Sequence, residues 1–153
     1  MLSRVIYFVR LPLLLLVIFT VGRFTLGLLG VPYFPRGTAI FSIVVLSLIS
    51  GLYFGALSGK VGGFGWGGAL LAGAVIGFGA QLLIFSATLI TYLGNFNTYF
   101  RHWDALNVPE GTLVPMGQAM RARTGGLVVG SLLVVVAAAI GRSLSALAPE
   151  KRS

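Results

Sequence analysis

The stretch GGALLAGAVIGFGAQLLIFSATLITYL, residues 67–93, carries no charged side chain and a single strongly polar one, Gln81. As a helix it would rise about 40 Å at 1.5 Å per residue, more than the roughly 30 Å hydrocarbon layer of a bilayer. A helix that is apolar all round has to be buried or to lie in lipid. Two further stretches read the same way. Residues 38–58 carry no charge, and residues 125–147 carry only Arg142, close enough to the end of its helix to snorkel.

Towards the N-terminus, residues 5–30 are apolar except for Arg10 and Arg23. These lie about 20 Å apart along a helix and point to nearly opposite faces, so each can reach its own interface. An alternative is an elbow at Pro12, with Ser3, Arg4, Tyr7 and Arg10 forming the polar face of a short interfacial helix. A cleaved signal peptide would need a small-x-small site, which does not occur before Arg23, so the segment reads as a retained anchor. The expected fold is therefore an all-α integral membrane protein. It is a single domain over residues 1–153, a four-helix transmembrane bundle with interfacial amphipathic helices between helices 3 and 4.

Composition supports this reading. Hydrophobic residues make up 57% of the 153 residues and charged residues 9%, against about 25% charged in a soluble domain. Too little polar surface exists to face water. The net charge of +8 comes from basic residues placed singly near the ends of apolar runs, where anionic lipid headgroups lie. The expected partners are therefore the bilayer with its anionic lipids, and other membrane subunits or further copies of the chain, rather than nucleic acid. With no cysteine and one histidine, Cys-ligated metals and bis-histidine haem are excluded. No cofactor, metal or catalytic residue is assigned.

The interhelical loop, residues 94–124, has a pattern of its own. Tyr92, Phe96, Tyr99, Phe100 and Trp103 fall at helical spacing, while Asn95, Asn97, Arg101 and His102 lie away from them. The spacing predicts an amphipathic helix continuing from the third span, its aromatics turned to lipid. Arg10, Arg23, Tyr92, Phe96, Tyr99 and Trp103 are the expected interfacial residues. Pro109, Glu110 and Gly111 mark a turn, and residues 115–123 read as a short basic helix leading into the fourth span.

Small residues recur every four positions: Ser47, Gly51, Gly55 and Gly59 on the second helix, Ala69, Gly73 and Gly77 on the third, Gly126 and Gly130 on the fourth. In lipid such faces let backbones approach closely. Because the turn between the second and third spans is short, their glycine faces are expected to meet. Gln81 would lie in that contact with Ser42, Ser47 or Ser50 as partner, and Ala87 would face lipid.

Candidate chemistry is sparse. Arg101, His102, Trp103 and Asp104 form the one cluster with acid–base potential, but His102 and Asp104 diverge on a helix. Gly63, Gly65 and Gly68 match a G-x-G-x-x-G spacing without the preceding strand that a dinucleotide site needs. Gly59-Lys60 lacks the Ser or Thr of a phosphate loop, having Val61. Four-helix drug exporters use a carboxylate within the membrane, whereas Asp104, Glu110 and Glu150 all lie outside the spans. Quinone-reducing four-helix enzymes need cysteines. The expected role is a non-enzymatic structural, assembly or accessory component of a membrane complex. The alternatives are a small channel or transporter using Gln81 and the glycine faces, and a membrane enzyme with a site near His102. The basic N-terminus, and a charge bias of only six against five, place both termini on the cytoplasmic side of a prokaryotic inner membrane.

Overall fold

The computed structural model describes residues 1–31 and 42–147. Four of its helices are long and apolar enough to cross a membrane. A short helix, Leu2–Phe8 (α1), leads into Arg10–Leu28 (α2). Ile43–Lys60 (α3) and Trp66–Leu93 (α4) follow. A 3-10 turn at Tyr99–Arg101 and one helical turn at Trp103–Leu106 (α5) precede the long Met116–Leu147 (α6). No strand occurs among the described residues.

The N-terminal elbow forms at Val9, whose φ of −97° and ψ of 14° depart from helix geometry. Pro12 is the cause. It has no N–H to give the Phe8 carbonyl and its ring crowds that oxygen, so the chain bends one turn upstream of the proline. Val5, Val9, Pro12, Leu16, Thr20, Arg23 and Gly27 form one buried stripe along α1 and α2. The α2 helix stops at Gly30, with a φ of +70°, where the Val31 N–H bonds the Leu26 carbonyl and the Gly30 N–H that of Gly27. Part of the second predicted span, 38–41, lies outside the described residues. Within them the helix begins at Ile43, capped by Ser42, whose hydroxyl accepts from the Val45 N–H at 3.4 Å.

The third span keeps its predicted extent, but the amphipathic helix expected beyond it does not form. After Leu93 the Phe96 N–H turns back to the Thr91 carbonyl and the Asn95 N–H to that of Tyr92, with Asn95 left-handed at a φ of 48°. This closes the helix, and asparagine is the non-glycine residue that tolerates the conformation best. The basic segment 115–123 is helical and leads into the fourth span without a break. It forms the first turns of α6, which starts at Met116 directly after Pro115 rather than at residue 125. Gly125 and Gly126 do not interrupt it, since in lipid a helix has nothing but itself to satisfy its backbone. Between Arg123 and Arg142, α6 runs uncharged for about 27 Å, close to the hydrocarbon thickness.

The packing of the glycine faces corrects a second expectation. The α3 and α4 helices are neighbours, but their small faces turn towards α6 instead of towards each other. A methyl placed on Gly51 would lie 2.7 Å from Val134 Cγ1, and one on Gly55 would overlap the backbone of Ala138. On α4, a methyl at Gly73 would lie 2.7 Å from Ala138 Cβ, and one at Gly77 2.9 Å from Ser131 Cα. In return, Gly141 of α6 sits against the Leu52 carbonyl of α3. Thus α6 lies in a groove whose two walls are the glycine faces, and it shares the largest contacts in the molecule with α4 and α3. The reason is size. One helix touching two others at backbone distance gains two close interfaces, whereas pairing α3 with α4 would use both small faces on one. The side of α4 that carries Ala87 is not a lipid face: Ala87 is 5% exposed and belongs to the core with Leu16, Ile76, Ile84 and Phe100.

Candidate functional site

Among the described residues, clefts indent the bundle at both ends. One, about 570 Å³, is bounded by Arg4, Tyr7, Arg10 and Phe64. Its arginines lie exposed on the surface, Arg10 over the Tyr7 ring at 4.1 Å and Arg4 over Phe64 at 5.5 Å. The second, about 460 Å³, lies at the opposite end and holds the ionisable groups that the fold buries.

That second cleft is assembled by the closure of α4. Because the chain reverses at Asn95, the segment after it is carried back across the end of the bundle. It is pinned there by Thr98, whose hydroxyl is 2.8 Å from that of Thr91, both side chains being fully buried. Gly27 of α2 lets it approach, for a methyl there would lie 2.8 Å from Thr98 Cα. Gly27 was not singled out in the sequence, since it belongs to no four-residue glycine series. The 3-10 turn then places Phe100 in the core, 2% exposed, and lays Tyr99 over Arg23. The guanidinium carbon of Arg23 is 3.4 Å from the centre of the Tyr99 ring. Arg23 is 9% exposed, so it lies within the protein instead of reaching along the surface. The aromatics of this segment are spread over different surroundings: Phe96 stays exposed while packing edge-on to Phe24 at 5.9 Å, Trp103 lies 4.9 Å from His102, and the Tyr92 hydroxyl donates to the Val114 carbonyl at 2.7 Å. With the helix closed at Asn95 they do not line up as one helical stripe.

From the other side α6 contributes Arg123, largely buried, whose Nε donates to Thr88 Oγ1 at 3.0 Å. Thr88 in turn donates to the Ile84 carbonyl. Asp104 and Asn107 of the α5 turn, and Ser42 with Val44 and Val45 at the start of α3, complete the lining. Among the described residues, two guanidinium groups and one carboxylate thus converge where α2, α4 and α6 end or begin. Arg101 is turned away, donating to Asn95 Oδ1 at 2.9 Å with its guanidinium over Tyr92.

His102 is engaged structurally. Its Nδ1 accepts from the Asp104 N–H at 3.3 Å, capping α5. Burial lowers its pKa from the ordinary histidine value, against the opposing pull of Asp104 and Glu110. Gln81 does not meet the serines of α3. Its amide fills the notch over Gly126 and Gly130 of α6, where a methyl on Gly126 would lie 3.2 Å from Oε1 and one on Gly130 would collide with the amide nitrogen. Ser42 and Ser47 instead bond within their own helix. At the far end Gly59 sits under the Arg142 guanidinium. Among the described residues no three His, Asp or Glu side chains come together as a metal site.

Fold and cleft define a class, an all-α membrane bundle with a cationic cleft at one end. Comparison with protein-family models, with curated proteins and with solved structures returns no match.

Proposed function

We propose that the chain is a multi-pass, non-enzymatic structural or accessory subunit of a membrane complex, residing in a prokaryotic inner membrane with both ends on the cytoplasmic side. The observation that carries this reading is the seating of α6. Gly51, Gly55, Gly73 and Gly77 all lie against it, so the small faces that would line a pore are taken up in holding the chain together. Gln81, the polar side chain deep in a span, points into the same interface. Catalysis at His102 is disfavoured because its Nδ1 is occupied by the α5 cap. What the bundle offers its surroundings is apolar helix surface, with Val128, Leu132, Val136 and Ile140 exposed along α6, and the cleft at one end.

The test is purification of the full chain in mild detergent at native abundance. A stoichiometric complex with larger membrane subunits, whose levels fall when this chain is removed, is expected. A homo-oligomer that carries an ion or solute flux in liposomes would replace this reading with a channel. A His102→Ala variant that loses its cellular phenotype at normal protein level would bring the enzyme forward.

A further inference from the structure

Hydrocarbon offers a polar side chain no water, so an amide inside a span has to find its partner in protein. The hydroxyls of Thr20, Ser47, Ser58, Thr88 and Ser131 each donate to a carbonyl of their own helix. Gln81 has no such arrangement. It rests on Gly126 and Gly130 of α6, yet among the described residues its amide makes no hydrogen bond. Nor is the amide sealed in, since Gln81 is half-buried and both its oxygen and its nitrogen keep accessible surface. Gly77, Ala80 and Ile84 on one side of it are buried, whereas Phe78 and Leu82 on the other are 54% and 46% exposed, so the opening is towards lipid. We propose that Gln81 is the centre of a symmetric contact between two copies of this chain, each amide donating to the oxygen of the other. The proposal rests on the multi-pass membrane reading above and names the occupant of one of its faces.

Chemistry and depth together select a second copy. A carboxamide carries both a donor and an acceptor, so two of them close a pair of N–H···O bonds about a two-fold axis. Copies inserted in one orientation hold Gln81 at the same depth. A two-fold axis along the membrane normal then brings the two amides opposite each other with no further adjustment. An unrelated helix would need a polar group placed independently at that level. Gln81 lies about 18 Å along α4 from the nearer end of the helix, so headgroups and water are out of its reach.

Charge and space agree. The α4 helix carries no charged residue, and α6 carries none between Arg123 and Arg142. Two copies of a chain with a net charge of +8 can therefore meet along this seam without opposing like charges inside the membrane. The α2 helix, by contrast, carries Arg10 and Arg23. Within 4 Å a methyl on Gly126 would meet only Gln81 Oε1, so there is open space beside the amide for a second helix to approach.

The experiment uses the full-length chain in liposomes and in mild detergent. The sequence has no cysteine, so single introduced cysteines report cleanly. With a bifunctional thiol reagent at a low protein-to-lipid ratio, Phe78→Cys and Leu82→Cys should give a cross-linked dimer. Leu14→Cys, at a position 57% exposed on α2, should give far less. Gln81→Leu should weaken the dimer by about tenfold, as the loss of two such bonds implies. At a dilution where both proteins are monomeric, it should melt at or above the parent temperature, because the monomer loses only an unpaired amide. Equal cross-linking at all three positions would overturn the proposal, as would a well-folded Gln81→Leu protein that dimerises like the parent. Lower melting of Gln81→Leu with unchanged dimerisation would show that the amide serves only its own notch. Should Gln81→Leu fail to fold, the three cysteine positions decide the matter. A cross-link from Leu82→Cys to a larger polypeptide in native membranes, in place of the dimer, would give the face to another subunit and overturn the assignment to a second copy. A chain that resists alkaline carbonate extraction but stays monomeric loses only this contact; one extracted by carbonate loses the membrane reading itself.

Discussion

A methyl group added at Gly55 has no free volume to enter, because its position overlaps the Ala138 backbone, which cannot rotate aside as a side chain could. Gly55→Ala should therefore lower stability by about 1–3 kcal/mol, the usual cost of overpacking. Gly125 provides the contrast, being exposed on α6 with open space around it. Gly125→Ala should melt at or above the parent temperature, and equal melting of the two variants would contradict the proposed packing. His102 gives a second prediction at this scale. Its pKa is depressed, so the folded segment prefers the neutral ring and the unfolded segment takes up a proton first. The stability that this provides is complete above the ordinary histidine pKa of about 6.5 and is lost as pH falls towards the folded value. Protonating Nδ1 also removes the α5 cap. Limited proteolysis at the exposed turn around Glu110 should be flat between about pH 7 and 8 and rise below about pH 6, and His102→Ala should flatten that response. From sequence, the four-residue spacing marks Gly55 and Gly73 as positions on small helix faces. It could not identify what they pack against, because Gly55 and Gly73 are equally suited to any small-faced helix.

At the level of helices, the joint between α4 and α6 has a polar fastening in the bond from Arg123 Nε to Thr88 Oγ1 across a separation of 35 residues. Thr88→Val keeps the shape and removes the acceptor, leaving the guanidinium without that partner. A loss of about 1–3 kcal/mol is expected, seen as a lower melting temperature, and Thr88→Ser should restore most of it. Should Thr88→Val melt like the parent, the joint would rest on glycine contact alone. Helix positions were legible wherever an apolar run was long, as in α4, because length and hydropathy decide insertion. Helix ends were legible only where a stop signal was weighed against periodicity. The run from Tyr92 to Trp103 has helical spacing, yet Gly94 and Asn95 interrupt it with residues suited to a left-handed turn. That turn is what brings Tyr99 back over Arg23, so the candidate site was hidden in the sequence by the same misreading. The Arg23–Arg123 cleft itself depends on groups 100 positions apart, and no local pattern joins them.

Across the whole molecule, the two ends of the described chain come to one end of the bundle. Met1 lies beside Gly67 at the start of α4, and Arg142 near the end of α6 lies over Gly59 at the end of α3. Reporter fusions at Met1 and Ser153 should accordingly report the same compartment, and opposite compartments would mean that one of the four helices does not cross. Which compartment that would be is a matter of charge placement, and the near-even distribution of arginines marks it only weakly in the sequence. The seating of α6 also bears on how the protein is made. Ribosomes deliver α3 and α4 to the membrane before α6 emerges, so for that interval the glycine walls have no occupant and the bundle is unfinished. The final helix then acts as a keystone. A gene split at Gly111, in the exposed turn before α6, should yield two fragments that associate when co-expressed, with the first alone removed by membrane proteases. Gly55→Ala on the first fragment should abolish the rescue without touching the insertion of either piece.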